Sequence, residues 1–319
     1  MLWGEVAKAY QPHHPRGGRM AYRGPVRFTP RVGVESMDYD QIAYEVSDRI
    51  ATLTLDRPEK LNAMTDEMRD QLLDALERVD RDDDVRVLIL TGRGRGFCAG
   101  RDLSSGGGTF DYASTGEDAA HHRDGGGLIT LRMFDLKKPI IAAINGPAVG
   151  VGVTMTLAAD IRMAADTARF GFVFSRRGIV NEAASSWFLP RAVGLSQALE
   201  WVFSGRVFGA EEALKAGLVR SVHPAEELLP AARALGAEIA QNTSAISVAI
   251  ARQLLWRLSA TDHPMDAHRA ESQAMFFIGQ SADAREGVDS FLEKRAPAFP
   301  MRVSRDLPEL PWAKGRPFA

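Results

Sequence analysis

The sequence has 319 residues, 45% of them hydrophobic, with 39 Lys and Arg against 41 Asp and Glu for a formal net charge of −2. So balanced a chain has no global electrostatic pull toward nucleic acid or an anionic membrane, and no apolar run reaches the ~20 residues of a spanning helix. The length allows one large domain or two small ones, and the single cysteine, Cys98, cannot form an internal disulfide, which suits a reducing cytoplasm.

Residues 1–36 are rich in Arg, Pro and Gly and lack the apolar stretch of a secretory signal. They bury little and read as a disordered extension before a natural start at Met37. Two β-rich runs, Ile42–Val46 and Ile50–Leu55, flank the polar turn "SDR" and predict a β-hairpin. Thr65 is placed as a helix N-cap, with Asp66 and Glu67 in the first turn and Met68, Leu72, Leu76 and Val79 on one face. "VRVLILTG" follows as a buried strand. Residues Ser104 to Gly127 are polar and glycine-rich and read as a loop flanking a site, and "LITLRMFDL" resumes helical spacing. "KKPIIAAINGPAVGVG" gives a strand, a turn and glycines that lead into a helix over "VTMTLAAD". The chain after Glu182 reads as mostly helical, and so does the region beyond Pro224 up to about Lys294. No internal repeat is visible in the sequence. Strand-plus-helix units come first and helices last, the pattern of a mixed α/β domain.

Two glycine-rich turns follow strands. "TGRGRGFCAGRDL" (Thr91–Leu103) has glycines at 92, 94 and 96, without the third glycine of a dinucleotide fingerprint or the Gly-Lys-Ser/Thr of a phosphate loop. That disfavours a dehydrogenase. "INGPAVGVG" (Ile144–Gly152) turns from a strand into a helix start, where N–H groups are unpaired. Two such turns can aim two N–H donors at one oxyanion. The pair His121–His122 has no third ligand nearby and is read as loop, with no metal expected.

Taken in order, "RPEKLNAM", "GFCAGRDL", "INGPAVGVGVTMTLAAD", "RFGFVFSRRGIVNEAASSWFLPRAVG", "SGRVFGAEEALKAGLV" and "FLEKRAPAF" resemble the crotonase superfamily, the enoyl-CoA hydratases and isomerases. The resemblance spans about Tyr39 to Phe299. It implies an α/β spiral of ββα units followed by a C-terminal helical trimerisation region. The expected division is a core over 37–230, a helical region over 231–299 and an extended tail over 300–319. It also implies a coenzyme A thioester as substrate, with no permanently bound cofactor, and a homotrimer or hexamer. By matching motifs, the oxyanion hole is the backbone N–H of Arg101 and of Val151. Lys60, Leu61, Ala63, Ala99, Asp102, Leu103 and Gly150 fall where relatives hold the CoA moiety. Lys294 matches a lysine that reaches CoA phosphate, often from a neighbouring subunit; read alone, it is a solvated helix end.

Hydratases of this family use two carboxylates. Their positions here are Thr154 and Phe174. A threonine can hydrogen-bond water but cannot accept a proton at neutral pH, and phenylalanine can do neither. The stretch "FVFSRRGIVNEAASSW" instead resembles the segment of Δ3,Δ2-enoyl-CoA isomerases that carries their glutamate, which falls at Glu182. Burial beside Phe174 and Trp187 is expected to raise its pKa. Read locally, Asn181 is a helix N-cap and Glu182 a first-turn acid. Relatives commonly have proline at position 181, and asparagine loosens that constraint. Arg176 and Arg177 are read as surface or intersubunit ion-pair partners. Three readings stay open: a Δ3,Δ2-enoyl-CoA isomerase-like enzyme, a hydratase-type reaction using Glu182 with bound water, and an acyl-CoA-binding protein with little catalysis.

Overall fold

The computed structural model describes residues 39–116 and 118–309, together with 312 and 316–318. The extension expected over 1–36 lies outside the described residues. Strands β1 (Ile42–Ser47) and β2 (Ile50–Leu55) form the predicted hairpin, pairing antiparallel from Ile42↔Leu55 to Ser47↔Ile50. Asp48 and Arg49 both take positive φ, +54° and +64°, the two-residue turn that matches strand twist. Helix α1 (Asp66–Arg81) starts where expected. The Thr65 side chain accepts the Met68 N–H, and Met68, Leu72, Ala75, Leu76 and Val79 are buried. Each such Leu or Met contributes roughly 1.5–3 kcal/mol on leaving water.

The chain then winds. Strands β3 (Val87–Gly92), β4 (Ile140–Ile144), β6 (Ile161–Ala165) and β9 (Ser221–His223) add in parallel to the hairpin, giving a six-stranded sheet of order β1-β2-β3-β4-β6-β9. A second sheet has the order β5 (Ala148–Val149), β7 (Arg169–Gly171) and β8 (Val207–Gly209). β4 is followed by β5 and β6 by β7, while the strand β3 is followed by the bridge Cys98↔Ala148. β4 and β6 are thus each followed by a strand of the second sheet, a structural repeat that the sequence does not display. β3 and β4 are buried along their whole length, as parallel strands covered on both faces must be.

Helices cover both faces of the large sheet. α1 and α2 (Gly125–Asp135) share the main core with α3 (Val151–Thr154), α4 (Ser185–Val193), α5 (Leu195–Ser204) and α6 (Ala210–Lys215). On the other face Leu228, Ala232 and Ala240 of α7 (Ala225–Asn242) pack on Ile50, Val87, Ile89, Ile141 and Met163. The C-terminal helices are α8 (Ala245–Leu258), α9 (Pro264–Ile278) and α10 (Ala282–Glu293). The expected extended tail carries one helical turn, α11 (Val303–Asp306), because Val303 is buried against Ile246, Ala249 and Ile250 and Asp83 accepts the Ser304 N–H at 3.0 Å. No helix among the described residues is long and apolar enough to cross a membrane.

Arg252 ties α8 to the spiral. Its buried guanidinium donates to Asp160 at 2.9 Å, to Phe134 O at 3.0 Å, to Met133 O at 2.8 Å and to Leu136 O. Three of these acceptors are carbonyls at the end of α2, where the helix runs out of its own N–H donors. Trp256 Nε1 donates to the other Asp160 oxygen at 2.6 Å. Arg252→Met takes the buried guanidinium away from the Asp160 carboxylate and those three carbonyls, and is expected to lower unfolding stability by about 3–5 kcal/mol, measured by urea denaturation.

Candidate active site

Two strand-ending turns lie side by side. Ala99 N–H donates to Leu61 O at 2.9 Å, Met64 N–H to Gly100 O at 2.7 Å and Asp102 N–H to Met64 O at 2.9 Å. These bonds zip residues 61–64 to 99–102. They bracket Arg101, so the Arg101 N–H points away from that ladder. Val149 N–H donates to Cys98 O at 3.0 Å, which fixes the second turn against the first, and Gly150 N–H donates to Gly171 O at 2.9 Å, which ties it to β7. The approach is close: a Cβ on Gly152 would fall 2.1 Å from Cys98 O. Val151 opens α3, so its N–H precedes the first intrahelical acceptor. Thus the Arg101 and Val151 amides lie on adjoining turns.

The proposed CoA-contact residues lie mostly on the same two turns. Lys60 is exposed in a helical turn, Leu61 takes φ +50°, and Leu103 is 50% exposed. Asp102 accepts from Arg57 Nη1 at 3.0 Å, and the same nitrogen donates to Ala63 O at 2.6 Å. Arg101 directs its guanidinium to Asp66 through two bonds, 3.0 and 2.8 Å. Lys294 is apart from this network, exposed at the left-handed C-cap of α10. Sequence reading missed Asn62, which is fully buried at φ +56°. It accepts the Arg57 N–H at 2.8 Å and donates to Gly96 O at 2.8 Å and Arg93 O at 3.0 Å, holding the wall together.

Glu182 is not a first-turn acid. Helix α4 begins at Ser185, and Ala183 and Ala184 take φ +60° and +50° before it. Asn181 therefore caps nothing; its amide lies 3.5 Å from Ser185 Oγ. Two successive non-glycine residues in the left-handed region cost about 1–2 kcal/mol each and persist only when their surroundings hold them. Here Asp124 Oδ1 accepts the Ala183 N–H at 2.9 Å, and Thr130 Oγ1 donates to Ala183 O at 3.0 Å. This kink turns the Glu182 side chain inward. Thr154 Oγ1 donates to Glu182 Oε1 at 2.5 Å and lies 3.2 Å from Gly150 O. The threonine hydroxyl thus holds the glutamate, one helical turn from the Val151 amide.

Burial is the largest cause of the Glu182 pKa rise to about 8; the Thr154 bond opposes it, and the nearby Asp124 carboxyl adds to it. Trp187 belongs to an aromatic cluster with Phe134, Phe188 and Trp256, and Phe174 is buried in the main core. Arg176 and Arg177 are exposed, and Arg176 Nε donates to Ser204 O at 2.8 Å rather than to the carboxylate. His121 faces Asp118 at 3.0 Å, and His122 packs on the Tyr112 ring.

Asp124 was also missed. It is the N-cap of α2, which starts at Gly125, three residues before the expected helix pattern. An Asp ahead of an apolar periodic run was the available signal. The glycines after it make room for carboxyl groups. A Cβ on Gly126 would fall 1.8 Å from Glu182 Oε2, and one on Gly127 2.6 Å from Asp124 Oδ2.

The sequence matches the family model for enoyl-CoA hydratase/isomerase over residues 45–302. An enoyl-CoA hydratase of Alternaria alternata is 43% identical over 254 residues, which is 79% of this chain and 83% of that protein. The 1,2-epoxyphenylacetyl-CoA isomerase of Escherichia coli is 37% identical over 81% of this chain and 97% of its own length. Among solved structures, a protein of Mycobacterium abscessus described as a probable enoyl-CoA hydratase/isomerase superposes with a TM-score of 0.75 at 32% identity, covering 84% of this chain and 99% of that one.

Gly126→Ala places a methyl group on the Glu182 carboxyl. The variant is expected to fold, by circular dichroism, yet to lose about 10²-fold or more in turnover through displacement of that group.

Proposed function

The chain belongs to the enoyl-CoA hydratase/isomerase family, and we propose that it catalyses a Δ3,Δ2 double-bond shift in an enoyl-CoA thioester with Glu182 as its one base. The observation that carries this reading is the inward Glu182 carboxyl, its pKa pushed up to about 8 and its side chain bonded to Thr154 one helical turn from Val151, with Thr154 and Phe174 at the two hydratase carboxylate positions. Ionised Glu182 takes a proton from C2, and the C–H electron pair spreads into a dienolate. The Arg101 and Val151 N–H groups stabilise the thioester oxyanion. Glu182 then returns the proton at C4, the 3,4 double bond having moved to 2,3. No co-reactant is consumed. A carboxyl near 8 suits both steps, because it neither holds nor releases its proton too firmly.

In this reading Lys60, Leu61, Ala63, Ala99, Asp102, Leu103 and Gly150 line the path of the CoA moiety. Lys294 reaches its phosphates from a neighbouring subunit. Self-assembly into a trimer or hexamer is supported by the apolar surface of the last helices: Phe276, Phe291 and Leu292 are 70%, 80% and 70% exposed. We place the protein in the cytoplasm, where its buried thiol Cys98 stays reduced. A second reading, hydration of a 2-enoyl thioester, is favoured by Asp124, which brings a second carboxyl beside Glu182.

Purified protein is to be given a 3-enoyl-CoA and, in parallel, a 2-enoyl-CoA. Conversion of the 3-enoyl substrate, lowered about 10²–10⁴-fold by Glu182→Gln, is the expected outcome. Hydration of the 2-enoyl substrate alone would replace the proposal with the second reading, and thioester binding without turnover would point to a binding protein. The base works ionised, so kcat/KM is expected to rise with pH and level off above about 8. For stability the sign is opposite. The raised pKa stabilises the fold below the ordinary carboxyl range, and that contribution is lost as pH rises through about 8. In sedimentation, a trimer or hexamer is expected at micromolar protein, with Phe291→Glu shifting it toward smaller species; a wild-type monomer would overturn the assembly.

A further inference from the structure

We propose that Asp124 and Glu182 form a carboxyl pair that shares one proton, with Asp124 the positioning residue that sets where Glu182 sits and how firmly it holds that proton. The geometry has three parts. First, one oxygen of Asp124 accepts two N–H groups, Gly127 at 2.6 Å and Ala183 at 2.9 Å, so it binds the start of α2 to the residue next to Glu182. Second, successive glycines open space for the two groups: a side chain at 126 would meet Glu182 Oε2 and one at 127 would meet Asp124 Oδ2. Third, the two left-handed alanines after Glu182 are held by Asp124 and Thr130, so the same contact that restrains the kink also sets the carboxyls side by side.

A second carboxyl close to a buried one makes ionising both costly, so Glu182 keeps its proton toward neutral pH. Burial pushes the Glu182 carboxyl up first, and Asp124 adds to that push. The other titratable groups that feel Glu182 are Cys98, a buried thiol pushed up to about 12, and Tyr112, raised by burial. Both are neutral across the relevant range. The Arg101 guanidinium near Tyr112 is bound by Asp66. Thr154 completes the set from α3 as a neutral donor.

The pairing concerns the same site as the proposed isomerase but is tested without substrate. Full-length protein carrying 13C at the glutamate side-chain carboxyl is titrated by NMR, with Glu182→Gln identifying the Glu182 resonance. The wild-type midpoint is expected near 8. Asp124→Asn is nearly isosteric and can still accept both N–H bonds, yet removes the second charge. It is expected to lower the Glu182 midpoint by at least about one pH unit. An unmoved midpoint in folded Asp124→Asn would overturn the proposal. Should that variant fail to fold, aspartate-labelled protein supplies the reciprocal test. Glu182→Gln must then shift the titration of one aspartate, and no change in any aspartate resonance would overturn the pair. If turnover exists, its acid limb moves to lower pH with the NMR midpoint in Asp124→Asn. A failed isomerase assay with a shifted NMR midpoint would refute the isomerase and leave the pair standing.

Discussion

A carboxyl group taken out of water is the constraint on which the rest of this site depends. Left alone, a buried carboxylate is expensive, and the protein answers by keeping the group protonated until pH 8 or so. That proton affinity is useful only if the group is aimed, and aiming it requires the chain around it to adopt an uncomfortable path. The left-handed alanines 183 and 184, the glycines that clear space and the Asp124 cap all follow from that single requirement.

The spiral makes this possible because it brings distant pieces of chain together without bending any one of them far. β3 and β4 are parallel neighbours, and the bridge Cys98↔Ala148 joins the chain beyond each, so the loops that leave them emerge next to one another. Their backbones are locked by the bonds from 61–64 to 99–102 and from Cys98 to Val149. The carboxyl arrives from a third segment and is received by α3 and the start of α2. Rigid turns thus carry the two amides, while a strained segment carries the acid.

What sequence could show tracks how local the cause is. The hairpin and α1 were legible because their signals lie within a few residues: β-rich runs about a polar turn, and Thr65 ahead of apolar residues at helical spacing. Glu182 was visible only through family resemblance. Its own neighbourhood suggested a helix cap at Asn181, since nothing local says that Ala183 and Ala184 will turn left-handed. Asp124 was hidden for the opposite reason. It looked like loop because its decisive partner, Ala183, is 59 residues away. Thr154 was read as the absence of an acid, and its hydroxyl donates to the Glu182 carboxyl.

The central claim is that one base, shielded from water, both removes and returns the proton. The most direct test uses a 3-enoyl-CoA bearing deuterium at C2, turned over in ordinary water and in H2 18O, with the product read by mass spectrometry and NMR. Deuterium found at C4 of the 2-enoyl product, and lost with Glu182→Gln, is the expected result. A 3-hydroxy thioester labelled with 18O, or C4 hydrogen drawn wholly from solvent, would contradict a single shielded base.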